Sequence, residues 1–149
     1  MKEKYISYKT IKEYIKILEI NINESSWNPD LILSINRGGC VPGVFLSHKM
    51  GIRHEVYSFD FNRDSKIDSL YYKIVSNHTS VLIIDDINDT GNTLSQISEM
   101  FKEHLSKLKF AVLINNKSSS FKVDYYSEKI DKSIDNSWIV FPWESLDNE

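Results

Sequence analysis

What this chain has least of narrows its identity first. Its 149 residues include one cysteine, Cys40, so no disulfide can close within it. Five glycines and three prolines are too few for a fibrous or low-complexity chain. The longest apolar runs, Val81 to Ile84 and Phe110 to Ile114, are far too short for a membrane span. Positive charge is scarce as well: 18 Lys and Arg against 21 Asp and Glu leave a formal −3 and no footprint for nucleic acid. No apolar signal core follows Met1-Lys2-Glu3-Lys4-Tyr5. The expectation is a soluble cytoplasmic protein with neither nucleic acid nor membrane as partner. A small anion remains open to it, since a few local cations and backbone amides suffice to hold one. The 41% hydrophobic and 12% aromatic content suits one packed domain over residues 1–149.

The patterning supplies the elements. Thr10-Ile11-Lys12-Glu13 reads as a capping box, and Ile11, Tyr14, Ile15 and Leu18 repeat at helical spacing. Leu31 to Ile35 reads as a buried strand, Asn36 to Gly39 as a loop, and Val41 to Met50 as a helix closed by Gly51. Glu55 to Phe59 is expected to be a strand, and the polar residues 60–69 a mobile loop. Val81 to Ile84 carries four branched residues and reads as a strand buried on both faces. Asp85 to Thr93 follows as a loop, Leu94 to Leu105 as a helix, and Phe110 to Ile114 as a further buried strand. Lys122 to Tyr126 and Trp138 to Phe141 read as short extended segments. Alternation of strand and helix predicts an α/β fold: a parallel sheet with helices on both faces.

Chemistry concentrates in Val81-Leu82-Ile83-Ile84-Asp85-Asp86-Ile87-Asn88-Asp89-Thr90-Gly91-Asn92-Thr93-Leu94. A buried strand delivers two carboxylates at its C-terminal end, where open α/β sheets place their ligands. Asp89 then precedes Thr90-Gly91-Asn92-Thr93, which opens a helix. A helix start offers unpaired N–H groups and the positive end of the macrodipole to a phosphate. Gly91 is expected to let the backbone approach that phosphate, with hydroxyl donors from Thr90 and Thr93. An anion cradle beside a carboxylate cluster suits a sugar phosphate carrying Mg²⁺, a hard cation that takes oxygen ligands.

This segment resembles the motif by which type I phosphoribosyltransferases bind phosphoribosyl pyrophosphate (PRPP). Ile35-Asn36-Arg37-Gly38-Gly39-Cys40-Val41-Pro42-Gly43 is similar to the pyrophosphate loop of the xanthine-guanine and hypoxanthine members. Lys117, after the strand at 110–114, and Asp135 to Glu144 look like the base-binding end of that subfamily. The resemblance covers nearly the whole chain. It implies a Mg²⁺-dependent phosphoribosyltransferase of purine salvage with a small hood over the sheet. The substrates would be PRPP and a 6-oxopurine base, and the assembly a homo-oligomer, dimer or tetramer.

Residue roles follow from the same resemblance. Asp85 and Asp86 would hold the ribose hydroxyls and Mg²⁺, and Asp89 would manage the proton at purine N7. Thr90, Gly91, Asn92 and Thr93 would hold the 5′-phosphate, and Arg37 and Gly38 the pyrophosphate, with the Arg37–Gly38 peptide in the cis form. Lys117 would donate to purine O6, Trp138 would stack on the ring, and the Ile139 backbone would meet its other edge. Phe141 and Trp143 read as core or interface rather than ligand contacts, and this apolar end and the small size underlie the expected dimer or tetramer.

There are departures from the family pattern. Ser58-Phe59 stands where a Ser-Tyr pair is usual, with Lys66 or Arg63 as the cation covering PRPP. Asn92 replaces a Gly or Lys, and Ser118-Ser119-Ser120-Phe121 lacks the expected Pro and Gly. Two other readings stand beside the main one: a PRPP-binding regulator of the same fold, and a phosphoribosyltransferase for another base.

Overall fold

The computed structural model describes residues 1–59, 62 and 65–145, with Ser65 and Ile67 described by backbone alone. Two sheets organise these residues. The larger contains β2 (Leu31–Ile35), β3 (Arg53–Tyr57), β4 (Val81–Asn88), β5 (Leu108–Asn116) and β6 (Tyr125–Ile130), in the order β3-β2-β4-β5-β6. Every adjacent pair in it is parallel. The smaller pairs β1 (Glu3–Tyr5) with β7 (Trp138–Val140), also parallel. The helices are α1 (Tyr8–Glu24), α2 (Cys40–Met50), α3 (Ser65–Ser76) and α4 (Asn92–Met100), with a 3₁₀ segment at Lys102–Lys107.

The apolar pattern of the strands explains the layering. Along β4, Leu82 and Ile84 join α1 residues Ile11, Ile15 and Leu18 in one core, while Val81 and Ile83 join α4 residues Leu94 and Ile97 in the other. Alternate side chains of one strand thus seal two separate helical layers. All five residues of β2 are buried, including the hydroxyl-bearing Ser34, which is satisfied by His54 Nε2 at 2.7 Å. The predicted α/β parallel sheet with helices on both faces is the observed fold, and β1–β7 forms the small additional layer.

Several boundaries differ from expectation, each for a local reason. The first helix begins one turn earlier than the capping box suggests. Ser7 is its N-cap, accepting from Thr10 N at 3.1 Å, so Thr10 lies inside the first turn. Residues 65–69, expected to be loop, are the start of α3. That helix packs Tyr71, Ile74 and Val75 onto the core. Its first turn is tied to the sheet by Tyr57 Oη donating to Asp68 Oδ1 at 2.9 Å. Arg63, one of the two cations assigned to the PRPP cover, lies outside the described residues. The helix after Gly91 stops at Met100 and tightens into the 3₁₀ segment rather than continuing to Leu105.

β4 extends past the apolar run to Asn88 because Asp85, Ile87 and Asn88 still pair with Val112, Ile114 and Asn115 of β5. The sixth strand starts at Tyr125 rather than Lys122, after Asp124 has turned its carboxylate to accept from Phe110 N at 2.8 Å. Phe141 and Trp143 stack on each other at 4.9 Å, Phe141 in the core and Trp143 packed against it. No described helix is long and apolar enough to cross a membrane.

Ile83, fully buried in the central strand, tests the core. Ile83→Ala is expected to destabilise the protein by ~2–5 kcal/mol, read from the urea midpoint at constant slope.

Candidate active site

The chain leaves β2 toward one edge of the sheet and returns at β4. The crevice beyond the C-terminal ends of these two strands is therefore a topological switch point. A cavity of about 800 Å³ lies there. It is lined by Asn36, Arg37 and Gly38 of the loop after β2, by the end of β4 and the start of α4, and by Trp138, Trp143 and Glu144.

The Asn36–Arg37 peptide bond is cis, one bond ahead of the position the resemblance assigned. Gly38 follows against the acid pair: a β-carbon there would fall 2.2 Å from Asp86 Oδ2. Only glycine allows the loop to lie so close to that carboxylate.

Asp85 and Asp86 extend the strand into the cavity lining. Asp85 Oδ1 accepts from Asp86 N at 2.9 Å, and Asp86 Oδ1 accepts from Ile87 N at 2.7 Å. Burial pushes the Asp85 carboxyl well above the ordinary carboxylate range, and the charge of Asp86 adds to it. Asp86 is raised to about 6, first by burial, with the charge of Glu144 contributing. The lining carries Asp85, Asp86, Asp89 and Glu144 against one cation, Arg37, among the described residues. Such a cavity repels a polyphosphate unless a cation arrives with it.

The donors available are carboxylate oxygens, which suit a hard divalent ion such as Mg²⁺. No group of three or more His, Cys, Asp or Glu among the described residues is placed to hold a metal alone. Mg²⁺ commonly uses one or two carboxylates and completes its shell with water and substrate oxygens. The residues present fit that mode.

α4 begins at Asn92 with Gly91 as N-cap, a residue with no side chain to cap the helix, and Gly91, Asn92 and Thr93 line the cavity. Thr90 Oγ1 accepts from Asn92 N at 3.3 Å. Gly91 is required for a reason the sequence did not show. Its φ is +93°, and a β-carbon would fall 2.6 Å from Phe121 N and 2.7 Å from Ser120 Oγ. The same loop is bonded down at Thr90 O, which accepts from Ser120 N at 3.0 Å and Ser120 Oγ at 2.9 Å. Gly91 therefore serves the packing of the 118–121 segment as well as any approach of a phosphate.

Asp89 lines the cavity next to the acid pair. Its Oδ1 accepts from Asn116 Nδ2 at 3.3 Å and its Oδ2 from Lys132 Nζ at 2.7 Å. Trp138 is half-exposed and lines the cavity. Three residues named from the sequence are not brought into the lining. Lys117 is exposed and pairs with Asp131 at 3.5 Å, Lys66 is exposed in the first turn of α3, and the Ile139 side chain is buried in the core. Trp143 and Lys132 were missed. Trp143 lines the cavity, and its buried Nε1 has no hydrogen-bond partner among the described residues.

A profile of the phosphoribosyl transferase domain matches residues 6–148. The chain is similar to a purine phosphoribosyltransferase of Pyrococcus horikoshii, at 29% identity over 98% of this chain and 96% of that one, with a TM-score of 0.76. It is also similar to the xanthine-guanine-hypoxanthine phosphoribosyltransferase of Helicobacter pylori: 22% identity, 97% and 95% coverage, TM-score 0.73. A hypoxanthine-guanine phosphoribosyltransferase of Bacillus anthracis matches at 19% identity, 88% and 83% coverage and a TM-score of 0.64. At those last two identities the likeness is one of fold.

The raised Asp86 carboxyl sets a pH dependence. Its folded value of about 6 exceeds the ordinary 3.8, so the folded chain favours the protonated form. That contribution is complete below about pH 4 and is lost as pH rises through about 6. Asp86→Asn keeps the acceptor for Ile87 N and removes the charge. It is expected to stabilise the ligand-free protein by ~1–3 kcal/mol near pH 8 and to flatten the stability profile, read by urea unfolding across that range.

Proposed function

The chain belongs to the phosphoribosyl transferase domain family, and from that premise we propose that it transfers the phosphoribosyl group of PRPP to a 6-oxopurine. Guanine, xanthine or hypoxanthine would become the nucleoside 5′-monophosphate, with release of pyrophosphate. One observation carries the reading. The start of α4, the acid pair Asp85 and Asp86 and the half-exposed Trp138 line the same cavity. Phosphate, ribose and base each have a chemically matched set of residues in it.

In this reading the amides of residues 90–93 and the hydroxyls of Thr90 and Thr93 hold the 5′-phosphate. Arg37 and the Gly38 amide take the pyrophosphate. Asp85 and Asp86 face the ribose and hold Mg²⁺, which when bound neutralises and orients the leaving pyrophosphate. As the bond from the anomeric carbon to pyrophosphate breaks, positive charge grows on the ribose, and fixed carboxylates stabilise it. Trp138 supplies a face on which the planar base stacks. Asp89 accepts the proton that the base gives up as its nitrogen bonds to the ribose. The similarity to the P. horikoshii purine enzyme supports the choice of a purine.

The deciding experiment incubates the protein with PRPP, Mg²⁺ and a panel of bases, and reads nucleotide products by mass. Conversion of 6-oxopurines, little of adenine, and loss of turnover on adding EDTA are expected. Absence of any nucleotide would remove the reading. Asp89→Asn is expected to lower kcat by ~10²-fold while PRPP affinity, read by calorimetric titration, stays near that of the wild type.

A further inference from the structure

Asn116 ends β5, one place beyond the last β4–β5 pair, Asn88 with Asn115, and so stands beside Asp89. It is 5% exposed, and both ends of its amide are engaged. Nδ2 donates to Asp89 O at 3.1 Å and to Asp89 Oδ1 at 3.3 Å. Oδ1 accepts from Ser118 Oγ at 3.1 Å, Lys132 N at 3.2 Å and Ser118 N at 3.4 Å. Donors meet the oxygen and acceptors meet the nitrogen, so the partners themselves fix which way the amide points.

The two bonds from Nδ2 close a ring through the carbonyl and the carboxylate of one residue. The terminal torsion of an aspartate is broad and two-fold, so a single attachment leaves its carboxylate free to turn. Lys132 Nζ, on Oδ2 at 2.7 Å, is one attachment. Asn116 supplies a second, on the other oxygen and referred to the backbone of Asp89 itself. Each oxygen keeps a lone pair for a further donor. The chain on either side of Asp89 is held by other groups. Asn88 Nδ2 donates to Asn115 Oδ1 and to Phe121 O, both at 2.8 Å, and Thr90 O accepts from Ser120 N and Ser120 Oγ. What Asn116 adds to this loop is the orientation of the carboxylate.

We propose that Asn116 is a positioning residue for the proton transfer, holding the Asp89 carboxylate at the angle from which it takes the proton of the incoming base. The proposal rests on the reading of Asp89 as that acceptor. Proton transfer demands an acceptor within hydrogen-bond reach and in line, and a small misplacement costs turnover without touching the binding of the other substrate.

Asn116→Asp separates the two ends of the amide. It keeps an acceptor for Ser118 and Lys132 and turns the donor facing Asp89 into an acceptor; Asn116→Ala removes both ends. In each folded variant, kcat and kcat/KM for hypoxanthine are expected to fall together by at least ~10-fold, with the KM for PRPP near the wild-type value. In an Asp89→Asn background the same changes should cost less than ~2-fold more, since a residue that acts through Asp89 has nothing left to orient. A merely structural role would loosen residues 88–93 as a whole and raise the KM for PRPP, because the same loop opens α4. Wild-type kcat in the folded variants, a KM for PRPP that rises in step with the loss, or an equal loss in the Asp89→Asn background each overturns the proposal. Failure of both variants to fold does so too, by making Asn116 a structural residue. A wild type that converts no base sinks the proposed function and this inference with it; an active wild type with normal turnover in Asp89→Asn sinks the role of Asp89, and of Asn116 behind it, while the transfer stands.

Discussion

A strand buried on both faces can place reactive groups only where its cover ends. β4 is such a strand, central in the sheet, with Val81 to Ile84 fully excluded from water between two helical layers. Polar side chains inside that stretch would carry a desolvation penalty with no water to offset it. The carboxylates therefore begin at Asp85, where the strand emerges into the crevice, and the chain stays in register with β5 as far as Asn88 to hold them still. The loop after β2 and the start of α4 are placed by the same geometry, since each follows or borders that strand end. The surrounding architecture serves to bury β4 and to leave its tip open.

At that tip the electrostatics are deliberately unbalanced. Asp85, Asp86, Asp89 and Glu144 face one arginine across the cavity lining. Burial answers part of this by favouring protonated carboxyls at Asp85 and Asp86. A cation delivered with a polyanion would answer it in a different way, by letting the same groups ionise. Asp89 is treated separately, because Lys132 and Asn116 hold one carboxylate oxygen each. One side of the cavity thus awaits a charge from outside, while the other carries its own.

Much of this could be read from residues in sequence. The branched run at 81–84 and the Asp-Thr-Gly that follows imply strand, acid pair and helix start together, because all three are set by neighbours along the chain. α3 was harder to read. Its first turn is polar, and the apolar Tyr71, Ile74 and Val75 that betray its period come afterwards. Lys132 was illegible for a different reason. Its partners are distant in sequence, Asp89 just after β4 and Asn116 at the end of β5, and no local spacing encodes an ion pair closed between them. Gly91 was legible as a glycine but only partly as to cause, since its neighbours at Ser120 and Phe121 arrive from the next crossover.

The Trp138 side of the cavity has an owner at the far end of the sequence. β7 is held by β1 alone in its sheet, with Trp138 N donating to Lys2 O at 2.8 Å and Ile6 N to Val140 O at 2.9 Å. Contacts so distant along the chain carry the largest loop-closure entropy and form late in folding. During synthesis the tip of β4 and the start of α4 can assemble once β5 has been made, whereas the Trp138 side must wait for the final strand to return to the first. The crevice is therefore built from its β4 end outward, and the same two short strands are expected to be the part of it that opens first when the fold loosens.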